Sequence, residues 1–306
     1  MTIGSNITAA GFVTIQNKAE SLLGPGAGTR GYNQTVISSD VFTGNEIRKS
    51  QWDLLKTDII NILYHQNGEL PNIVTVNSGD VIQFGAGHPN SNYDSLLTTA
   101  EANRFQVAAS QSIVTARGSA TYTGTWNSSA QFTLTVTFST ADQGRYFFNS
   151  GGKIRFTTSL SGGTGTAQYN AWFNFLNSVG IRSFGADTDP LVNYYTLTNN
   201  FQTYYQSSLT TPYSANNYKL EARTNVANNS TGTATILTLR VSLIDGYLDP
   251  GNSTRAPYDV PDTIDRVDGT ITISVEELKA AGTLIPTGTF DIASPSAYSL
   301  SVITAS

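Results

Sequence analysis

"FTLTVTF", residues 132–138, sets Phe132, Leu134, Val136 and Phe138 against Thr133, Thr135 and Thr137, apolar and polar residues in strict turn. Successive side chains of a strand point to opposite faces, so this stretch predicts a β-strand with one buried face. The period recurs. Leu237, Leu239, Val241 and Leu243 alternate with Thr238, Arg240 and Ser242, and Ile271, Ile273 and Val275 alternate with Thr272 and Ser274. Several such runs with Gly, Asn and Ser turns between them predict an antiparallel β-sandwich or jelly-roll-like domain over 112–306.

Within that region, "RYFFNSGGKIRFTTSL" (145–160) leads from an aromatic cluster through Asn149, Ser150, Gly151 and Gly152 into another alternating stretch. The spacing predicts a tight loop that aims Tyr146, Phe147 and Phe148 at a core, followed by a strand burying Ile154 and Phe156. "TAQYNAWFNFLNSVG" (166–180) predicts a short helix whose Trp172, Phe175, Leu176 and Val179 seal one end of the sandwich.

Upstream the period changes to that of a helix. Ile7, Phe12, Ile15, Ala19, Leu22 and Leu23 recur forty positions later as Ile47, Trp52, Leu55, Ile59, Ile62 and Leu63, each set forming one helical face. Thr8 is placed to cap the first helix and Gly24-Pro25-Gly26 to stop it. Ser50 with Asp53 resembles a capping box for the second, which ends at Asn67-Gly68. Helices this short are unstable alone in water, so their stripes must pack on one another, on the β part or on a neighbouring subunit. Residues 1–111 thus read as a helical, loop-rich docking region, its interface formed by Phe12, Ile15, Leu22, Trp52, Leu55 and Ile59. On this reading residues 1–70 are separable, and their removal leaves the β-domain folded. A weaker helical stretch, 95–110, bridges to the β part.

Composition bounds the chemistry. The chain has 306 residues, 39% hydrophobic and 10% aromatic, enough for a sizeable core. Charged residues make up 13%, against roughly a quarter in typical soluble domains, and Ser, Thr, Asn and Gly replace them. The net charge is −5, and Lys and Arg are scattered singly, which leaves no basic stripe for a phosphate backbone. Nucleic acid is therefore not expected as a partner. Without cysteine there is no disulfide, thiolate metal site or cysteine nucleophile. No apolar run reaches the length of a membrane span, and no signal-peptide pattern is present, so folding in a cytoplasm is expected.

Candidate sites are few. The glycine-rich segment 24–45, with Gly26-Ala27-Gly28, lacks the Gly-Lys-Ser/Thr and the preceding strand of a phosphate loop. The two histidines, His65 at a helix end and His88 before Pro89, suit capping or surface roles better than a catalytic triad. Asp245, Asp249, Asp259, Asp262, Asp265 and Asp268 cluster near Gly and Pro, where Asp is the expected turn residue. Asp245 and Asp249 are weak candidates for a metal site or an acid/base pair. Exposed tyrosines can stack on sugar rings, which makes Tyr194, Tyr195, Tyr204 and Tyr205 candidate glycan contacts. No cofactor and no enzymatic activity are expected.

Three stretches, "RYFFNSGGKIRFTTSLSGG", "ARTNVANNSTGTATILTLRVSLIDGY" and "VDGTITISV", resemble segments of virion structural proteins of tailed bacteriophages, notably those of cyanobacteria and other aquatic bacteria. "ITAAGFVTIQNKAESLLGPGAGTRGYNQ" and "QWDLLKTDIINILYHQNG" resemble the helical front end of some of them. The resemblance implies a noncatalytic tail, baseplate or neck component, or a glycan-binding tail-fibre module. It implies assembly in threes or sixes with other phage proteins, location in the virion and assembly in the host cytoplasm. It brings no catalytic motif.

Overall fold

The computed structural model describes residues 8–42, 44–77, 89–126, 128–247 and 267–305. Three helices come first, α1 (Ala9–Leu23), α2 (Lys49–Asn67) and α3 (Pro89–Ala102). The β region follows with β1 (Ser112–Trp126), β2 (Ser129–Thr137), a helix α4 (Ala141–Asn149), β3 (Lys153–Ser161), a helix α5 (Ala167–Val179) and β4 (Arg182–Phe184). It continues with β5 (Gln202–Ser208), β6 (Asn217–Thr224), β7 (Ile236–Ile244), β8 (Val267–Thr283), β9 (Thr289–Asp291) and β10 (Ala297–Ala305). The fold is mainly β, with two antiparallel sheets, as the alternating runs predict. One sheet has the order β1-β8-β3-β4 with β9 on β8, and the other β10-β2-β7-β6-β5.

The chain forms two compact units. The first comprises Met1–Ile113, Asp142–Gly152 and Leu278–Ser294; the second comprises Val114–Ala141, Lys153–Glu277 and Pro295–Ser306. The first changeover falls beside the boundary read at 111/112. The two later segments return to the first unit, a division that no shift in composition announces.

In the first unit, Thr8 caps α1 by accepting from the Gly11 N–H at 3.2 Å. The α2 cap differs from the expected Ser50/Asp53 box. Arg48 stands at the cap and its N–H donates to Gln51 Oε1 at 2.7 Å, which starts the helix earlier and leaves Ser50 inside it. Gly68 ends α2 in the left-handed region at φ 74°. The three helices pack together. Phe12 and Trp52, equivalent in the two repeats, meet edge to face at 5.1 Å, and Tyr93 of α3 closes on Trp52 at 5.3 Å.

The expected loop around Tyr146, Phe147 and Phe148 is a helix, α4, with Phe147 and Phe148 fully buried and Tyr146 half-buried. Its end explains the paired glycines. Gly151 takes φ 85°, its N–H donates to Phe148 O at 3.2 Å, and the Gly152 N–H donates to Phe147 O at 2.9 Å. That double bond over a left-handed residue is the Schellman arrangement, which favours glycine because no Cβ collides.

In the second unit the two sheets face each other. Phe132, Leu134 and Val136 of β2 are buried with Leu237, Leu239, Val241 and Leu243 of β7, and with Ile271, Ile273 and Val275 of β8. Ile154 and Phe156 of β3 join them, and Thr158 Oγ1 meets Tyr218 Oη of β6 across the sandwich at 2.8 Å. Each fully buried side chain of this size contributes about 1.5–3 kcal/mol. Trp172 of α5 packs edge-on against Trp126 of β1 at 5.1 Å, with Leu176 and Val179 buried beside it and Phe175 partly covered.

Candidate functional site

The stripe residues of α1 and α2 are consumed inside the first unit. Phe12, Trp52, Leu55 and Ile59 are 0% exposed, Leu22 1% and Ile15 3%. They are a helix-packing core and cannot be the docking interface expected of them, since no partner reaches side chains already covered by the chain's own helices.

Around that core, buried polar side chains hold backbone. Asp58 of α2 accepts from the Ile37 and Ser38 N–H groups at 3.1 and 2.8 Å. Burial raises its carboxyl pKa, and these donors pull it back. Arg145 of α4 donates to the carbonyls of Pro25 and Arg30 at 3.0 and 2.8 Å, and Asn149 to those of Gly28 and Gly31 at 3.2 and 3.3 Å. Four carbonyls between residues 25 and 31 are thus taken up by α4. The C-terminal end of α1 is capped by the chain that follows, with the Tyr32, Asn33 and Gln34 N–H groups donating to the carbonyls of Leu22, Gly24 and Leu23.

His65 belongs to the same set and has neither a capping nor a surface role. It is 1% exposed, lies parallel to Phe290 at 4.0 Å, and its Nε2 reaches Ser150 O at 3.1 Å. Burial outweighs that carbonyl and lowers its pKa from the ordinary 6.5 to about 3, so the ring is neutral. His88 lies outside the described residues.

A cleft of about 360 Å³ opens between α1 and α3. Leu22 and Leu97 form its buried floor; Asn17, Lys18, Arg30 and Glu101 stand at its rim. Lys18 pairs with Asp94, and Arg30 grips both oxygens of Glu101 through Nε at 2.8 and 3.0 Å, which raises the guanidinium pKa. The rim charges are therefore neutralised across the cleft.

All four candidate glycan tyrosines turn towards protein. Tyr194 and Tyr195 are 0% and 7% exposed, and Asn229 donates to the Tyr194 carbonyl at 2.8 Å. Tyr205 pairs in register with Leu220, while a bulge between Thr203 and Tyr205 turns Tyr204 inward as well. Tyr204 packs on Phe184 at 4.9 Å, and Tyr205 lies under Arg182 at 4.0 Å. Burial raises the Tyr204 hydroxyl pKa. The expectation of exposed ring faces fails at Tyr194 and Tyr195, and Tyr204 and Tyr205 are half-buried against the opposite sheet.

Asp245 makes a turn. Its Oδ1 accepts from Gln168 Nε2 at 2.7 Å and from the Tyr247 N–H at 3.2 Å. Asp249 lies outside the described residues, and among the described residues no three His, Asp or Glu side chains are grouped to hold a metal ion. Asp268 accepts from the N–H and hydroxyl of Thr164.

Two ionic clusters escaped sequence reading. Glu277 of β8, fully buried, receives Arg117 Nε of β1 at 2.7 Å and the Tyr298 hydroxyl of β10 at 2.6 Å. On the face of the β10–β5 sheet turned away from the core, Glu221 receives Arg240 at 2.6 Å and Lys219 at 3.0 Å. The register 221↔240 brings Arg240 to Glu221 from a separate strand, a pairing that carries no local signal, while Lys219 lies two positions away on β6 itself.

No protein family, curated protein or solved structure matches this chain. Among the described residues, no helix is long and apolar enough to cross a membrane.

Proposed function

We propose that the chain is a noncatalytic structural component of a bacteriophage virion, in the tail, baseplate or neck, built into the particle as repeated copies. One observation carries this reading beyond the sequence resemblance. The buried groups with chemical capacity, Asp58, His65, Arg145, Glu221 and Glu277, each hold a loop, a ring stack or a neighbouring strand. That is how polar groups are used where shape is the product. Docking then falls to the outward faces of α1 and α3 rather than to their buried stripes, and repetition by symmetry multiplies each weak contact. Low surface charge limits repulsion between copies.

Analytical ultracentrifugation of the purified protein, with mass spectrometry of intact particles, tests this. Self-association and presence in virions are expected; a monomer at all concentrations together with absence from particles overturns it. A second reading, a glycan-binding receptor module, is favoured by one feature: an exposed guanidinium on the outer sheet face, stacked on an aromatic ring.

A further inference from the structure

The outward face of the β10–β2–β7–β6–β5 sheet differs from the rest of the surface. Pairing sets Lys219, Glu221 and Arg223 of β6 beside Ser242, Arg240 and Thr238 of β7, and these beside Gln131, Thr133 and Thr135 of β2. Ser299 and Ser301 of β10 extend the same rows at Thr135 and Thr133. The charges on these strands' outward face are three cations against the one carboxylate of Glu221, in a chain whose net charge is −5. Phe201 lies between two of the cations, with the Arg240 guanidinium 4.0 Å and that of Arg223 4.6 Å from its ring centre. Arg240 is held by Glu221, whereas Arg223 is exposed and pairs with no carboxylate among the described residues. Ser242 Oγ, 1% exposed, and Thr133 Oγ1 on this face have no protein hydrogen-bond partner.

We propose that this face binds an acidic polysaccharide, with Arg223 taking a sugar carboxylate and Phe201 fixing the guanidinium plane. The inference rests on the second reading above in taking a glycan as the occupant. A guanidinium presents two parallel donors to a carboxylate, and stacking on an aromatic ring lowers the cost of orienting it. On β2 and β10, the half-buried Gln131, Thr133 and Thr135 and the exposed Ser299 and Ser301 offer hydroxyls and an amide to a polyhydroxylated chain, in rows about 4.8 Å apart across the strands. The paired outward positions Lys219, Glu221, Arg223, Gln131, Thr133 and Thr135 are all polar, so these rows offer no apolar pockets to select a peptide's side chains.

The test is direct binding of the full chain to polygalacturonate, with neutral dextran and poly-glutamate as the other arms. Polygalacturonate is expected to bind with an affinity that falls as salt rises. Arg223→Glu should weaken it by about tenfold or more, while Arg223→Lys, which keeps the charge without the fork, should recover part of the loss. Arg223 is exposed, and an unchanged melting temperature for each variant separates lost binding from lost fold. Binding of polygalacturonate that is indifferent to Arg223, or poly-glutamate bound equally well, overturns the proposal. Binding of dextran alone overturns the acidic site and leaves glycan recognition standing; binding of neither polysaccharide overturns both.

Discussion

Residues 24–38 of the first unit and strands β2, β6 and β7 of the second solve the same problem, satisfying backbone groups near a core, by opposite means. Along 24–38, carbonyls and N–H groups meet side chains sent from elsewhere: Arg145 and Asn149 from α4, Asp58 from α2. In the strands, backbone meets backbone through registers that run unbroken from Asn217↔Ile244 to Thr224↔Leu237 and from Ser129↔Ile244 to Thr137↔Ile236. A ladder is redundant, because no single side chain makes it. A clamp is not, and one substitution removes a donor or acceptor whose partners stay buried.

The comparison breaks most visibly if the clamped unit survives loss of its helices. Removing residues 1–70 strips Phe290 of His65 and Tyr32, and takes away the backbone that Arg145 and Asn149 hold. The first unit should lose cooperative structure altogether, read as lost helical circular dichroism and new dye binding, with strand signal kept in the second. The separability expected from the sequence then holds for the second unit alone.

Trp52→Ala, at a ring 0% exposed between Phe12 and Tyr93, should cost about 3–5 kcal/mol in chemical denaturation. Acid should act next. His65 has a folded pKa depressed from 6.5 to about 3, so its neutral form contributes stability present above 6.5 and lost as pH falls towards 3. The slope is at most about 1.4 kcal/mol per pH unit, and His65→Gln should flatten the acid limb of the stability curve relative to the parent. Asn149→Ala removes the donor to the Gly28 and Gly31 carbonyls and should cost about 1–3 kcal/mol. At the other extreme, Ser299→Ala on exposed β10 leaves every backbone bond in place and should move stability by less than about 0.5 kcal/mol. Equal costs for Asn149→Ala and Ser299→Ala would erase the contrast between clamp and ladder.

What the sequence disclosed follows the same division. Period two exposed β2, β7 and β8 because burial of one face is a local, repeated demand. Period 3.6 exposed α1 and α2 for the same reason. The short α4 is only 9 residues long, so its Tyr-Phe-Phe run masked the helical spacing of Gly144, Phe147 and Phe148. Asp58, Asn149 and Arg145 carry no mark of burial in the sequence, because nothing local names the distant backbone each one holds. At Tyr204 the tyrosine reading met a bulge: one extra residue between Thr203 and Tyr205 changes which way its ring points, and alternation in a sequence carries no mark of it.

The first unit is assembled from three stretches of chain, the last ending at Ser294. On a ribosome these arrive far apart in time. At typical elongation rates, α1 and α2 emerge on the order of ten seconds or more before Phe290, the ring on which His65 stacks, has been synthesised. Through that interval the N-terminal helices have each other but not their final partners, and most of the second unit is synthesised before the first is complete. Yield of this protein should therefore respond to translation speed and chaperone supply more than its finished stability would suggest.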